Sequence, residues 1–366
     1  MRPIGTPAFR PTASCIWNSF RSSGKRHLIL TGTRGAGKTT LLCELFPQPL
    51  PGVTTWAQPG SAVYLADNLT RESVRIGAYD ASLPGFENKM APRAEGLKTL
   101  GTAFLKRCMQ HESEWVRIDE VGYLESGCEE YLDAIRTLLE RKRVAAAVRK
   151  QELPFLRELC GREDVFLVDL DRPFGSCGCV IMASGLGRRF GGNKLMADFA
   201  GSPLLCRILD ATEGLFARRV VVTRHADAAE LCRSRGIEVV LHDLPHRSDT
   251  VRLGMEAVGS VDGCMFCPAD QPLLRRETIA ALLLSAVNGP DRIWRPCVDA
   301  APGAPVLFPA WAFPELLTLP EGKGGGWVAR KYPDRVAMME VLDACELMDA
   351  DTPEALNRLL QKNDLP

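Results

Sequence analysis

The stretch HLILTGTRGAGKTTLLCEL, His27 to Leu45, decides the first half of the fold. An apolar run leads into a glycine-rich turn, and a second apolar segment leaves it. That order predicts a strand over His27–Thr31, a tight turn, and a helix over Thr39–Phe46. The turn GTRGAGKT fits the pattern G-x-x-x-x-G-K-[ST], and each residue type in it has a task. Gly32, Gly35 and Gly37 let successive backbone N–H groups turn inward on phosphate oxygens. Thr33, Arg34, Ala36 and Thr40 complete the nucleotide-binding stretch. Lys38 is expected to reach the β- and γ-phosphates of a nucleoside triphosphate (ATP or GTP), and the Thr39 hydroxyl to ligate Mg²⁺. The helix that starts there directs its positive dipole end at the anion.

Working outward, the apolar VRID (Val116–Asp119) reads as a strand ending in a carboxylate that could hold Mg²⁺ directly or through water. Glu120 follows at once and is expected to orient and deprotonate an attacking water, although acidic pairs at strand ends are often only solvated. A helix over Glu129–Arg141, a strand over Val144–Val148, a helix over Pro154–Cys160 and a strand over Val165–Val168 continue the alternation. Alternating strands and helices predict an α/β domain with a largely parallel sheet covered by helices, and the Gly32–Thr39 motif resembles that of P-loop NTPases, which implies their three-layer arrangement. Residues 1–24, rich in Pro, Ser and Arg, read as a loose leader. The turn residues Asp171–Ser176 break the pattern, so the boundary is set at about 172–177. The domains expected are 25–172 and 177–366.

The theme restarts at Cys179-Val-Ile-Met-Ala183 and runs into ASGLGRRFGGNK, Ala183 to Lys194. Gly185 and Gly187 permit a tight turn close to a ligand, and Arg189 and Lys194 can neutralise a triphosphate. Downstream, Asp270 ends an apolar strand in CPADQPLL, while Asp349 and Asp351 lie in LMDADTPEAL before a final helix. Nucleotidyl transfer needs Mg²⁺ between the α-phosphate and the leaving pyrophosphate, and Asp270 with Asp349 or Asp351 could hold it. Asp351 has a second reading, because Asp-Thr-Pro-Glu is also a good helix N-cap sequence. Further strands are expected over Arg219–Thr223, Ile237–Leu241 and Cys264–Pro268. Helices are expected over Pro203–Glu213, started by Ser202-Pro203, and over Ala226–Arg235 and Asp249–Val258.

Composition excludes several classes. The 366 residues carry 45 Lys plus Arg against 45 Asp plus Glu, so the basic excess of a nucleic-acid or membrane-surface protein is missing. No run approaches the ~18 apolar residues of a membrane span, and no signal peptide is read at the start. A soluble, cytoplasmic protein is expected. The 13 cysteines, an odd number, fit a reducing compartment. The pairs Cys177/Cys179 and Cys264/Cys267 lie in strand-like runs and read as small core residues rather than zinc ligands.

Two resemblances follow from these motifs. LILTGTRGAGKTTL and VRIDEVGYLE resemble the phosphate loop and the Asp-Glu-Ile-Gly segment of a small nucleoside-triphosphatase family first described from thermophiles, over His27–Asp171. That resemblance implies Mg²⁺-dependent hydrolysis of a nucleoside triphosphate, with Lys38 and Glu120 as catalytic groups and Thr39 and Asp119 at the metal. ASGLGRRFGGNKL, SPLL, SDTVRLGM, DQPLL, GAPVLF and DADTPEAL resemble the nucleotidyltransferases of molybdenum cofactor biosynthesis, closer to the cytidylyl than to the guanylyl branch. Their fold is a Rossmann-like, GT-A-like mixed sheet. The resemblance implies CTP and a molybdopterin-type cofactor as substrates; an alternative reading is a nucleotide-switched cofactor-delivery chaperone, for which a molybdoenzyme is the partner. The resemblance puts Ala183, Gly185, Gly187, Arg189, Lys194, Ser248 and Thr250 at the nucleotide, and Asp270 and Asp351 at Mg²⁺. Ala304 and the run Glu321-Gly-Lys-Gly-Gly-Gly326 depart from that family where its acceptor would sit, so a sugar or polyol phosphate is the alternative acceptor.

Overall fold

A helix opens the described chain: α1 (Ala13–Ser23) is capped by Thr12, whose hydroxyl accepts the Cys15 N–H at 3.2 Å. The structure is a computed structural model describing residues 9–83 and 89–363. The chain divides into two units. One is Gly24–Asp171, and the other joins the described residues up to Ser23 to those from Arg172 onward.

In the Gly24–Asp171 unit, β1 (His27–Thr31) is buried along its whole length and α2 (Lys38–Leu45) follows the glycine loop. Next come β2 (Gly52–Gln58), β3 (Ala62–Asp67), β4 (Ser73–Tyr79) and β5 (Met90–Pro92). The helical segments α3 (Ala94–Gly96) and α4 (Thr102–Gln110) lead to β6 (Trp115–Val121), α5 (Glu129–Arg141), β7 (Arg143–Val148), α6 (Pro154–Cys160) and β8 (Val165–Asp169). The strand order is β5-β4-β3-β2-β6-β7-β1-β8. The strands from β2 to β8 along this path pair parallel, whereas β2 to β5 form an antiparallel meander on the far edge. The sheet is therefore mixed, not largely parallel: β2, β3 and β4 follow one another through short connections, which permit only antiparallel neighbours. Leu97, Phe104 and Leu105 cover one part of the sheet, and Leu132, Ile135 and Leu138 of α5 another.

The second unit contains β9 (Cys177–Ala183), the hairpin β10 (Asp198–Phe199) with β11 (Ser202–Pro203), α7 (Leu205–Ala211), β12 (Arg218–Thr223), α8 (Ala226–Ser234) and β13 (Glu238–Leu241). Then follow α9 (Arg247–Val258), β14 (Gly263–Pro268), α10 (Arg276–Asn288), β15 (Ile293–Val298), β16 (Ala301–Pro302) and β17 (Val306–Pro309). The last elements are α11 (Phe313–Leu317), α12 (Gly326–Lys331), β18 (Val336–Glu340) and α13 (Pro353–Asn363). The order is β13-β12-β9-β14-β17-β15-β16, with β18 parallel to β15. β17 runs antiparallel to β14, so this α/β sheet is also mixed.

Two expectations are corrected here. Residues 1–24 are not a loose leader throughout. Cys15, Ile16, Ser19 and Phe20 form one buried face of α1, and the Ser19 hydroxyl meets that of Ser285 on α10 at 2.7 Å. Burying Ile16 and Phe20 stabilises by about 1.5–3 kcal/mol each, enough to order a helix that polar composition alone would leave free. Second, Ser202-Pro203 does not start a helix. It pairs with Asp198-Phe199, and α7 begins two residues later at Leu205. The four cysteines of the two close pairs are buried in β9 and β14, with Cys179 and Cys267 sulfurs 3.8 Å apart. Among the described residues no helix is long and apolar enough to cross a membrane.

Candidate functional sites

The first site stands where β1 feeds α2. The parallel order β6-β7-β1 brings the C-terminal ends of these strands to one edge of the sheet. The side chains of Thr39 and Asp119 meet there, the hydroxyl donating to the carboxylate at 2.9 Å. Asp119 is 4% exposed, and burial pushes its carboxyl up against the opposing pull of the Thr39 hydrogen bond. A hydroxyl and a carboxylate are hard oxygen donors and suit Mg²⁺. Among the described residues no group of three or more His, Cys, Asp or Glu could hold a metal, so phosphate and water oxygens would complete the shell.

Lys38 folds back over the loop, donating to the Gly32 carbonyl at 2.7 Å and the Thr33 carbonyl at 3.0 Å. Burial lowers its basicity, with the Glu120 and Asp171 carboxylates pulling the other way. Arg34, Gly35 and Thr40 are exposed at the rim, and Ala36 donates its N–H to the Thr33 carbonyl. Asp171, past the end of β8, accepts the Thr33 N–H at 3.0 Å and its hydroxyl at 2.9 Å, and so ties down the loop's second residue. Lys150 bridges Asp171 and Asp169 at 3.1 and 2.7 Å.

Glu120 has a positive φ of 86° and sits where the β6–β7 register slips between Asp119 and Val121. A left-handed glutamate costs on the order of 1–2 kcal/mol, and such strain concentrates at functional positions. The kink turns Glu120 onto Arg149, with which it forms an ion pair. Glu125 is 2% exposed and accepts the Gly122 N–H at 2.8 Å, and burial pushes its carboxyl up to about 7. Glu120, Gly122, Tyr123, Glu125 and Arg149 line one small cavity. Arg149, Lys150, Glu125 and Asp171 escape the sequence reading. The cations just after the apolar run of β7 and the acid two residues past β8 were the visible signal for Arg149, Lys150 and Asp171.

The second site lies at the C-terminal edge of β9 and β14. Ala183 is buried at the end of β9. The loop after it turns at Gly187, whose φ is 58° and where an added Cβ would stand 2.1 Å from the Gly192 carbonyl oxygen. Only glycine fits there. Gly185 is exposed, and its carbonyl oxygen lies 2.8 Å from His225 Nε2. Ser184 donates to the Val222 carbonyl at 3.1 Å and meets His242 Nε2 at 2.8 Å.

Lys194 is the centre of the constellation. Its Nζ donates to Asp270 at 2.6 Å and to Asp351 at 2.8 Å. Burial would lower this ammonium's basicity, but the Asp270 and Asp351 carboxylates outweigh it and hold it above its ordinary value. Arg189 donates to the other oxygen of Asp351 at 2.6 Å, and Lys194 holds the Asp351 carboxyl below its usual range. The Ala350 N–H donates to the Asp270 carbonyl at 2.8 Å, fixing the Asp349–Asp351 segment beside Asp270. Asp349 turns instead to the Gln271 amide, 3.0 Å away. The N-cap reading of Asp351 is corrected: Thr352 takes that task, accepting the Ala355 N–H at 3.1 Å, and Asp351 is left to the site. Two converging carboxylates fit a divalent cation by donor chemistry, and the ammonium occupies the position between them.

Ser248 lies in the first turn of α9, where its hydroxyl accepts the Gly322 N–H at 3.2 Å. It thus meets the glycine-rich run, with His246 and Glu321 paired at 2.6 Å beside it. Thr250 is 2% exposed, so its side chain belongs to the packing of α9 and offers no surface to a nucleotide.

Two family models match the chain. Residues 55–173 match the family described as "NTPase", and residues 179–336 the "MobA-like NTP transferase domain". The nucleoside-triphosphatase THEP1 of Thermotoga sp. (strain RQ2) is 26% identical over 159 residues, covering 39% of this chain and 86% of that protein. The 3-deoxy-manno-octulosonate cytidylyltransferase of Neisseria gonorrhoeae (strain NCCP11945) is 40% identical over 97 residues, covering 24% of this chain. The chain spans only 36% of that relative's length. A solved structure of molybdopterin-guanine dinucleotide biosynthesis protein A from Archaeoglobus fulgidus is 20% identical, covers 51% of this chain and 98% of its own, and has a TM-score of 0.42. Within one chain, residues 55–173 are thus similar to the NTPase family and residues 179–336 to the MobA-like NTP transferase domain.

Proposed function

We propose that the second unit transfers a cytidylyl group from CTP to a molybdopterin-type cofactor, and that the first hydrolyses a nucleoside triphosphate. The observation that carries the transfer reading is the meeting of Lys194, Asp270 and Asp351, brought together from three separate segments. In the transfer, an acceptor phosphate oxygen bonds to the CTP α-phosphorus, and the bond to the β-phosphate oxygen breaks, releasing pyrophosphate. Lys194 and Arg189 bind the phosphates, and the Gly185–Gly187 turn lets the nucleotide approach the backbone. Asp270 and Asp351 would hold a divalent cation, which would supply charge neutralisation for the α-phosphate and the leaving group. Positioning and fixed charge supply most of the rate.

In the first unit, Lys38 and the loop N–H groups cradle the phosphates, Thr39 and Asp119 would hold Mg²⁺, and Glu120 accepts the proton of the attacking water. A sugar acceptor is the second reading, supported by the match to a 3-deoxy-manno-octulosonate cytidylyltransferase and by Ala304 and the Glu321–Gly326 run at the expected acceptor side. The test is pyrophosphate release from CTP or GTP with Mg²⁺ and, separately, molybdopterin cofactor or a panel of sugar and polyol acceptors. Release with CTP and the pterin alone is expected. Release that persists unchanged in Asp270→Ala would sink the site assignment.

A further inference from the structure

Arg149 follows the last residue of β7, the strand lying between β6, which carries Asp119 and Glu120, and β1, which feeds the phosphate loop. In strand order, that end of β7 lies between the strand feeding the loop and the strand carrying the acidic pair. The backbone N–H of Arg149 donates to the Val121 carbonyl at 2.9 Å, which anchors the residue beside the register slip. Its stem runs over Gly122, where an added Cβ would stand 2.7 Å from Arg149 Cδ. Its guanidinium lies 5.8 Å from the Tyr123 ring centroid and pairs with Glu120. The pair is not locked away, since the two side chains are 34% and 32% exposed. Lys38 feels both charges, Glu120 and Arg149 being among its electrostatic neighbours.

A carboxylate engaged by a guanidinium has its lone pairs committed and is poorly placed to receive a proton from water. A guanidinium beside a phosphate loop, in turn, matches the oxygens of a terminal phosphate better than an ammonium does. We propose that Arg149 is a catalytic cation of the triphosphatase, acting within its own chain. In the structure it holds Glu120, and in the substrate complex it turns onto the γ-phosphate and frees Glu120 for the attacking water. The inference rests on the reading of residues 24–171 as a triphosphate hydrolase. The step balances: the water oxygen bonds to the γ-phosphorus, its proton passes to Glu120, and the bond to the β-phosphate oxygen breaks, leaving a nucleoside diphosphate and phosphate. An arginine supplied to a γ-phosphate is worth about 10³–10⁵ in turnover.

The test is steady-state phosphate release from ATP and GTP by the full chain, with nucleotide affinity measured separately. Arg149→Gln keeps the stem over Gly122 and removes the charge. It is expected to lower turnover roughly 10³-fold or more while nucleotide affinity changes less than about tenfold. Arg149→Lys should recover only part of the rate, and guanidinium ion at millimolar concentration should raise turnover in Arg149→Ala. Turnover in Arg149→Gln equal to or above the unaltered protein would overturn the proposal, as would full activity of Arg149→Lys. If the unaltered chain releases no phosphate, the hydrolase reading itself falls. If it does and the Arg149 variants match it, only this inference falls.

Discussion

Lys194 Nζ lies 2.6 Å from Asp270 Oδ2, although 76 residues separate them in the chain. A divalent cation binding at Asp270 and Asp351 must compete with this ammonium, and a triphosphate offers the ammonium a new partner. Metal and nucleotide binding are therefore expected to be coupled. Lys194→Met keeps the aliphatic length and removes the charge. It should cut CTP-dependent pyrophosphate release by about 10²-fold or more, and Asp270→Asn at least as much. Both are checked by initial rates across a Mg²⁺ titration.

The two sites are chemically separate, so their variants should separate too. Thr39→Ala removes the hydroxyl that meets Asp119. Phosphate release should fall by about 10²-fold, with CTP-dependent pyrophosphate release unchanged. Parallel assays of both products on one preparation test this, and equal losses in both would contradict it.

Phe20 belongs to the second unit's core. It is 2% exposed on α1, beside the Ser19–Ser285 contact. Phe20→Ala should destabilise that unit by about 3–5 kcal/mol. Urea unfolding followed by loss of transferase activity is the measurement, with Arg21→Ala as the surface control.

His27 carries an acid-sensitive part of the first unit's stability. Its ring is fully buried and Nδ1 accepts the Val144 N–H at 3.1 Å, and burial lowers its pKa to about 4 from 6.5. A depressed folded-state pKa means that the unfolded chain takes up the proton first. The contribution is complete above pH 6.5 and is lost as pH falls toward about 4. A shift of that size corresponds to about 3 kcal/mol. Unfolding midpoints measured between pH 7 and pH 4 should fall less steeply in His27→Gln.

The sequence alone determined what repeats within a few residues. The spacing of Gly32–Thr39, the strand carrying Asp119 with Glu120 after it, and the loop from Ala183 to Lys194 were legible because strand, turn and phosphate chemistry are local. Sequence pattern also placed α2, α5, α6, α8 and α9 within two residues, and left α1, α3, α4, α10, α11 and α12 unread. Tertiary structure decided what depends on strand order and on distant partners. Arg149 meets Glu120 because β7 enters between β6 and β1, an insertion that no local pattern announces. Asp351 rather than Asp349 faces Lys194 because Thr352 caps α13 and Gln271 takes Asp349. The face of α1 was present in the sequence, yet composition hid it. Its meaning came only with α10, since burial is worth something only where a partner removes the water.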